Sequence, residues 1–515
     1  MTEHDRVHRE TRLLAERRDR RVKLGLLGVS LACIAFLAAA ALQENVFPDW
    51  RRHQQEYAGI LQDKATDDWG RKIAADFRVE MRQVVLPELG TIDRCVTCHT
   101  GIDDPRMTDV PNPYAVHPGK YLEWHDPARF GCTICHRGQG RAMTFEEAKA
   151  EGHHWDWPLL PKNLVQSSCG QCHAMEEVAS HGGEVYARGA ALFEAKGCRS
   201  CHALGGRGGA LGPALDGEGS KLAGQLPMAA VRGPRTLAQW LVEHFEDPQR
   251  IVAGSRMPRP GLSRPETEAL TTYMLSLQGR DLPESYLSPE RHREIYAAAH
   301  PPERTGAQLW SMLCSSCHDT GSHGRWDKFF ATFVPAVRGD TYVQHAEPAY
   351  VAAQIRLGRQ GTIMPAWGRG AGGLTEDEIL KLVAFVLGRD DLTLADTAPR
   401  SPEWTAAERR LADGDAAHGG VLFAKNCSGC HGVQGQGKLG PSLVSPAFQG
   451  EASHDFLFTT IALGRADTAM PSFLTRNGLG ERDVRDLVAF VRTLGAAPAT
   501  PVATAAEKGG EHATH

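Results

Sequence analysis

Twelve of the 13 cysteines fall in pairs spaced C-x-x-C, and a histidine directly follows every pair. The six pentapeptides are Cys95-Val-Thr-Cys98-His99, Cys132-Thr-Ile-Cys135-His136, Cys169-Gly-Gln-Cys172-His173, Cys198-Arg-Ser-Cys201-His202, Cys314-Ser-Ser-Cys317-His318 and Cys427-Ser-Gly-Cys430-His431. Random placement of the same residues gives roughly 0.015 such pentapeptides, so chance is excluded. Zinc ribbons, structural disulfides and thioredoxin-like pairs share the cysteine spacing, but none of them requires a histidine after every pair. C-x-x-C-H is the attachment signature of c-type haem. The two thiols add across the porphyrin vinyl groups, and the adjacent histidine becomes the proximal iron ligand. The expectation is six covalently bound haem c, held by these twelve cysteines and ligated by His99, His136, His173, His202, His318 and His431.

The elements that position these groups come next. At 515 residues the chain has room for several compact domains. A net charge of -5, from 62 acidic and 57 basic residues, carries no basic excess that would suggest nucleic acid as a partner. Residues 24–42, LGLLGVSLACIAFLAAAAL, are uncharged and, as a helix, just long enough to cross a hydrocarbon core of about 30 Å. Arg17, Arg18, Arg20, Arg21 and Lys23 precede this span. The positive-inside rule then places residues 1–23 in the cytoplasm and everything after Leu42 outside it. A cleaved signal peptide is the rival reading, favoured by the small residues Ala38 to Ala41; the long charged segment before the span favours an uncleaved anchor. Cys33, mid-span, reads as a small apolar helix residue. The expected location is a bacterial inner membrane, single-pass, with the haem domains periplasmic.

The last three motifs share a frame: Gly189-Ala-Ala-Leu192-Phe193 before Cys198, Gly306-Ala-Gln-Leu309-Trp310 before Cys314, and Gly419-Gly-Val-Leu422-Phe423 before Cys427. Helix-like segments with acidic first turns and apolar residues at helical spacing close each unit, starting near Glu266, Glu376 and Glu481. Three times over, between about 184 and 496, this arrangement resembles class I cytochrome c. The resemblance implies a downstream Met, usually followed by Pro, as sixth iron ligand, and the chain offers Met257-Pro258, Met364-Pro365 and Met470-Pro471. It also implies a proline carbonyl that orients the proximal histidine. Gly212-Pro213 and Gly440-Pro441 match; the middle unit lacks the Gly-Pro pair and offers Pro335. A soft thioether ligand favours reduced iron, so these sites are expected at higher potential.

Segment 89–182 carries three motifs and no Met-Pro pair. His117, His125, His153, His154 and His181 are available there, which suggests bis-His ligation at lower potential; His117, His125 and His154 are taken as distal ligands, with Met143 as the outside candidate. Arg94 to Gly101, His117-Pro118, Phe130 to Arg141 and Trp157-Pro-Leu-Leu resemble the tri-haem module of multihaem subunits associated with bacterial cytochrome bc-type quinol oxidoreductases. That resemblance implies a membrane-embedded cytochrome b and a Rieske protein as partners, with a soluble cytochrome or other periplasmic protein as acceptor.

The expected fold is mainly α. A cytoplasmic tail (1–23), a transmembrane helix (24–42) and a connector (43–88) lead to a compact tri-haem module with little regular structure (89–182). Cytochrome c domains follow at 183–280, 304–391 and 415–496, joined by linkers at 281–303 and 392–414 that are expected to cover domain surfaces, and a disordered tail ends the chain (497–515). Three functions remain: an electron-transfer subunit of a quinol-oxidising complex, an electron donor within a terminal oxidase or alternative complex III type assembly, or a multihaem redox enzyme. The third needs an open iron position, and every motif here has a candidate sixth ligand; no catalytic residue is assigned.

Overall fold

The computed structural model describes residues 3–150, 155, 157–279, 281–299, 303–475 and 478–494. His153, His154 and the 497–515 tail lie outside the described residues. The chain forms two compact units, residues 1–168 and 169–515. The boundary falls between the second and third C-x-x-C-H motifs, so the third belongs to the second unit. Described structure is mainly helical, with two short antiparallel hairpins.

The first unit begins with one helix, Glu3–Asn45, which contains the apolar span and is exposed along the whole of it. It is the helix long and apolar enough to cross a membrane among the described residues. Two amphipathic helices follow, Asp49–Asp63 and Asp68–Asp76; the second is capped by the Asp67 side chain, which accepts from Gly70 N. Their inner faces bury Tyr57, Leu61 and Ala74 against Met107 and Tyr114. Gln54 is fully buried on the first of them and donates to Thr97 O at 2.8 Å, which fixes the helix to the loop of the first motif. A hairpin pairs Val84–Leu86 with Thr91–Asp93 and turns at Gly90, whose φ of 63° suits glycine. Beyond it the unit is built from turns and helices of four or five residues.

In the second unit the three repeated frames become three copies of one helix crossing. Each pre-haem helix (Glu184–Ala195, Gly306–Leu313 and Ala416–Asn426) crosses a closing helix (Arg264–Ser276, Glu376–Leu387 and Glu481–Leu494). The closing helices start where the sequence predicts. Ser263 with Glu266, and Thr375 with Glu378, form reciprocal capping boxes, and Asp483 accepts from Gly480 N. At each crossing the frame glycine meets a backbone carbonyl. A Cβ at Gly189 would stand 2.0 Å from Ala269 O, one at Gly306 2.1 Å from Lys381 O, and one at Gly419 1.9 Å from Asp486 O.

Domains two and three are not separate beads. Leu309, Ile379, Leu382 and Val383 of one and Phe423, Phe456, Leu487 and Val488 of the other belong to a single buried cluster. Tyr350 meets Phe456 at 4.5 Å between ring centroids. The 392–414 linker is part of this body: Thr397 is buried, and Arg400 pairs with Glu347 and stacks on Trp404. The middle domain has its own hairpin, Arg325–Asp327 with Thr332–Val334, which ends just before Pro335.

Two outcomes are expected. Gly419→Ala gains about 1 kcal/mol of helix propensity but drives a methyl into a carbonyl, for a net loss of about 1–3 kcal/mol in denaturant unfolding of the full chain, whereas exposed Val421→Ala stays within about 0.5 kcal/mol; equal stability of the two variants would contradict the crossing. Buried Glu243 is pushed up by burial, but hydrogen bonds from Gln239, Arg250, Gly233 N and Arg232 N outweigh that and hold its pKa at about 2. Its contribution is complete above pH 4.5 and lost as pH falls towards 2, so Glu243→Gln should flatten the acid limb of the stability curve in that window.

Candidate functional site

Each C-x-x-C-H pentapeptide forms one tight turn. The histidine N–H donates to the carbonyl of the first cysteine, at 2.9 Å for His99, His136 and His318 and at 3.0 Å for His173, His202 and His431. One turn of this kind projects two thiols and an imidazole from the same short segment, which matches the needs of a ring fastened at its edge and ligated at its centre. Among the described residues no disulfide joins any of these cysteines.

The imidazoles are set for metal binding. His202 Nδ1 donates to Pro213 O at 2.7 Å and His431 Nδ1 to Pro441 O at 3.0 Å, as the Gly-Pro pairs predict. The preceding glycines are required by space: a Cβ at Gly212 would lie 2.4 Å from His202 Cε1, and one at Gly440 2.7 Å from His431 Cε1. In the middle domain Pro335 takes the same part, with its carbonyl 3.4 Å from His318 Nδ1; the hairpin delivers it where the Gly-Pro pair is missing. His99 bonds the Pro113 carbonyl. With Nδ1 engaged, Nε2 is the nitrogen left for iron. Burial lowers the pKa of His99, His136 and His431 and takes His318 down to about 4, which keeps the imidazoles neutral as ligands require.

The three Met-Pro pairs sit in matching loops. A hydroxyl two residues earlier accepts the methionine N–H: Ser255 for Met257, Thr362 for Met364 and Thr468 for Met470, at 3.1–3.2 Å. In domains two and three Arg359 N and Arg465 N also donate to the Met364 and Met470 carbonyls, both at 3.1 Å.

In the first unit the His117 and His136 rings lie 6.1 Å apart, centroid to centroid, at 67°. Two imidazoles on opposite sides of one metal, each nitrogen about 2.0 Å from it, have centroids about 6 Å apart. His117 Nδ1 faces Pro118 O at 2.9 Å, so its Nε2 is the nitrogen available on that side. His125 Nδ1 lies 3.0 Å from Tyr121 O, and its ring makes a T-shaped contact with Phe130. Met143 Sδ accepts from Arg94. His53, absent from the sequence-based candidates, contributes to the lowered pKa of His99 and is fixed by Tyr114 Oη at 3.1 Å from Nδ1. Its signal was weak because it sits 42 residues before the first motif, on a helix whose role only the tertiary contact reveals.

The motifs are also brought together in space. Cys95 lies within hydrogen-bond reach of Cys132, which with burial raises its pKa. Buried Asp93 joins the two: its carboxylate accepts from Cys132 N at 2.7 Å and Thr133 N at 3.0 Å, and faces Cys95 Sγ at 3.6 Å. In the second unit Ser200 and Ser316, inside the fourth and fifth motifs, touch through their hydroxyls at 2.9 Å. Cys201, raised to about 11 by burial, also feels Cys317. Arg359 bears on both His318 and His431, between the fifth and sixth motifs.

Comparison with known proteins agrees with this geometry. Residues 186–278 match the family model described as cytochrome c, and residues 301–386 and 414–491 match that of cytochrome c oxidase, cbb3-type, subunit III. The chain is 27% identical over 207 residues to a cytochrome bc1 complex cytochrome c subunit of Mycobacterium leprae, covering 37% of this chain and 61% of that protein. It is 26% identical over 207 residues to the cbb3-type cytochrome c oxidase subunit CcoP of Azospirillum brasilense, with the same coverage. A cytochrome c oxidase subunit 2 of Alkalihalophilus pseudofirmus is 37% identical over 94 residues, 18% of this chain and 25% of that protein. The chain thus spans about 61% of the length of the first two relatives. The turns that present two thiols and an imidazole and the repeated helix crossing agree with these matches in placing cytochrome c domains at residues 186–278, 301–386 and 414–491.

Proposed function

We propose that the chain is a membrane-anchored hexahaem cytochrome that carries electrons from a quinol-oxidising membrane complex to a periplasmic acceptor. The observation that carries this reading is the contact between motifs, above all Ser200 against Ser316 and Cys95 against Cys132. When bound, haem c supplies reversible one-electron exchange, and its potential follows its axial ligands.

The residues divide the labour. Cysteine pairs hold neighbouring attachments side by side. Proline carbonyls orient the imidazoles. Met257, Met364 and Met470 serve the three cytochrome c domains as sixth ligands, and His117 serves His136. His125 and His154 remain the proposed distal ligands for the other early motifs, with His53 a further candidate for His99. Soft Met ligands favour the reduced state and bis-His ligation the oxidised one, so electrons run from the early motifs to the late ones. The Glu3–Asn45 helix anchors the chain, with its basic start on the cytoplasmic side.

The partners follow from the relatives, one named as part of a cytochrome bc1 complex and another as part of a cbb3-type oxidase. A cytochrome b and a Rieske protein are the proposed donors. The second reading, an electron donor within an oxidase assembly, is favoured by the shared core of domains two and three, which coincides with the two stretches matching the cbb3-type model. Subunits co-purifying with the full chain separate the two: cytochrome b with a Rieske protein supports the first, oxidase subunits the second.

Haem quantitation should give six per chain, and near-infrared magnetic circular dichroism three bis-His and three His/Met sites; a different ratio contradicts the ligand scheme. His117→Ala should leave one five-coordinate haem that binds carbon monoxide, with the other five unchanged. A His117→Ala chain that keeps every haem six-coordinate would remove His117 from the ligand set.

A further inference from the structure

The orienting partner of the proximal histidine is a proline carbonyl at four motifs: Pro113 for His99, Pro213 for His202, Pro335 for His318 and Pro441 for His431. The third motif differs. His173 Nδ1 faces a carboxylate, Glu177 Oε1, at 2.9 Å, one helical turn further along the chain. The other oxygen, Oε2, accepts from Ser288 Oγ at 2.6 Å, while Ser288 N donates to Cys172 O at 2.9 Å. Ser288 therefore ties the carboxylate to the motif itself, and the 281–303 segment contributes to this site.

We propose that Glu177 is a positioning residue that makes the third haem site more reducing than a carbonyl partner would. The inference rests on the haem-carrying function proposed above. A full negative charge at Nδ1 draws the ring proton more strongly than a carbonyl dipole does, which makes Nε2 a better donor to iron and stabilises the oxidised state. The proline-oriented sites lack this charge.

The test is a spectroelectrochemical titration of the full chain after haem quantitation. Glu177→Gln keeps the shape and an acceptor oxygen but removes the charge. One component should move positive by about tenfold in its reduction equilibrium, 59 mV for a one-electron couple, while the other components stay in place. Glu177→Asp should keep most of the low potential. A glutamine variant with full haem content and all components unmoved overturns the proposal, as does one in which every component moves equally. If the glutamine chain fails to mature, Ser288→Ala, which frees the carboxylate from its anchor, carries the test: the same component should move positive, and an unmoved one overturns the assignment. Fewer than six haems in the unaltered chain would instead count against the underlying reading.

Discussion

The three cytochrome c domains depend on one close approach, a glycine in the pre-haem helix against a backbone carbonyl of the closing helix. Gly189, Gly306 and Gly419 let Ala269, Lys381 and Asp486 come within a distance that no side chain would allow. Helices that cross this closely bring the apolar faces on both sides of the contact together. Phe193, Leu309 and Phe423 are thereby buried a few residues before each first cysteine. The crossing thus sets where each C-x-x-C-H turn begins. Everything the turn presents, two thiols and an imidazole, inherits its position from that contact.

A second level of order lies in what the imidazoles touch. Proline carbonyls are cheap and rigid acceptors: the ring fixes φ and the residue brings no N–H of its own to satisfy. They orient a neutral histidine without adding charge. Charge enters with Glu177 beside His173 and, at longer range, with Arg359, which adds to burial in lowering the pKa of His318 and His431. An anion at an early motif and a cation near two late ones bias potential in the same direction as the proposed change from bis-His to His/Met ligation.

Much of this was legible in the sequence because it is local. The C-x-x-C-H turns, the frame glycines, the acidic helix starts and the Met-Pro loops are all set within a few residues. What stayed hidden depends on contacts between distant segments. The union of domains two and three around one core cannot be read from two similar repeats, since each repeat has a plausible core alone. Pro335 looked a poor match because its Gly-Pro context is missing, and only the hairpin shows how the carbonyl arrives. Asp93 reads as an ordinary acidic residue until its contacts with Cys132, Thr133 and Cys95 are seen. The placing of the His117 ring opposite His136 likewise depends on a contact between segments that are separate in sequence.

The central claim is that neighbouring motifs form a conducting path within each unit. Flash photoreduction of the full chain, followed at wavelengths that separate His/Met from bis-His haems, tests it most directly. The account predicts that electrons injected at the third motif reach the His/Met sites of the same unit in a first-order process whose rate does not depend on protein concentration. Transfer that slows in proportion to dilution, as it must if electrons pass only between separate molecules, would contradict it.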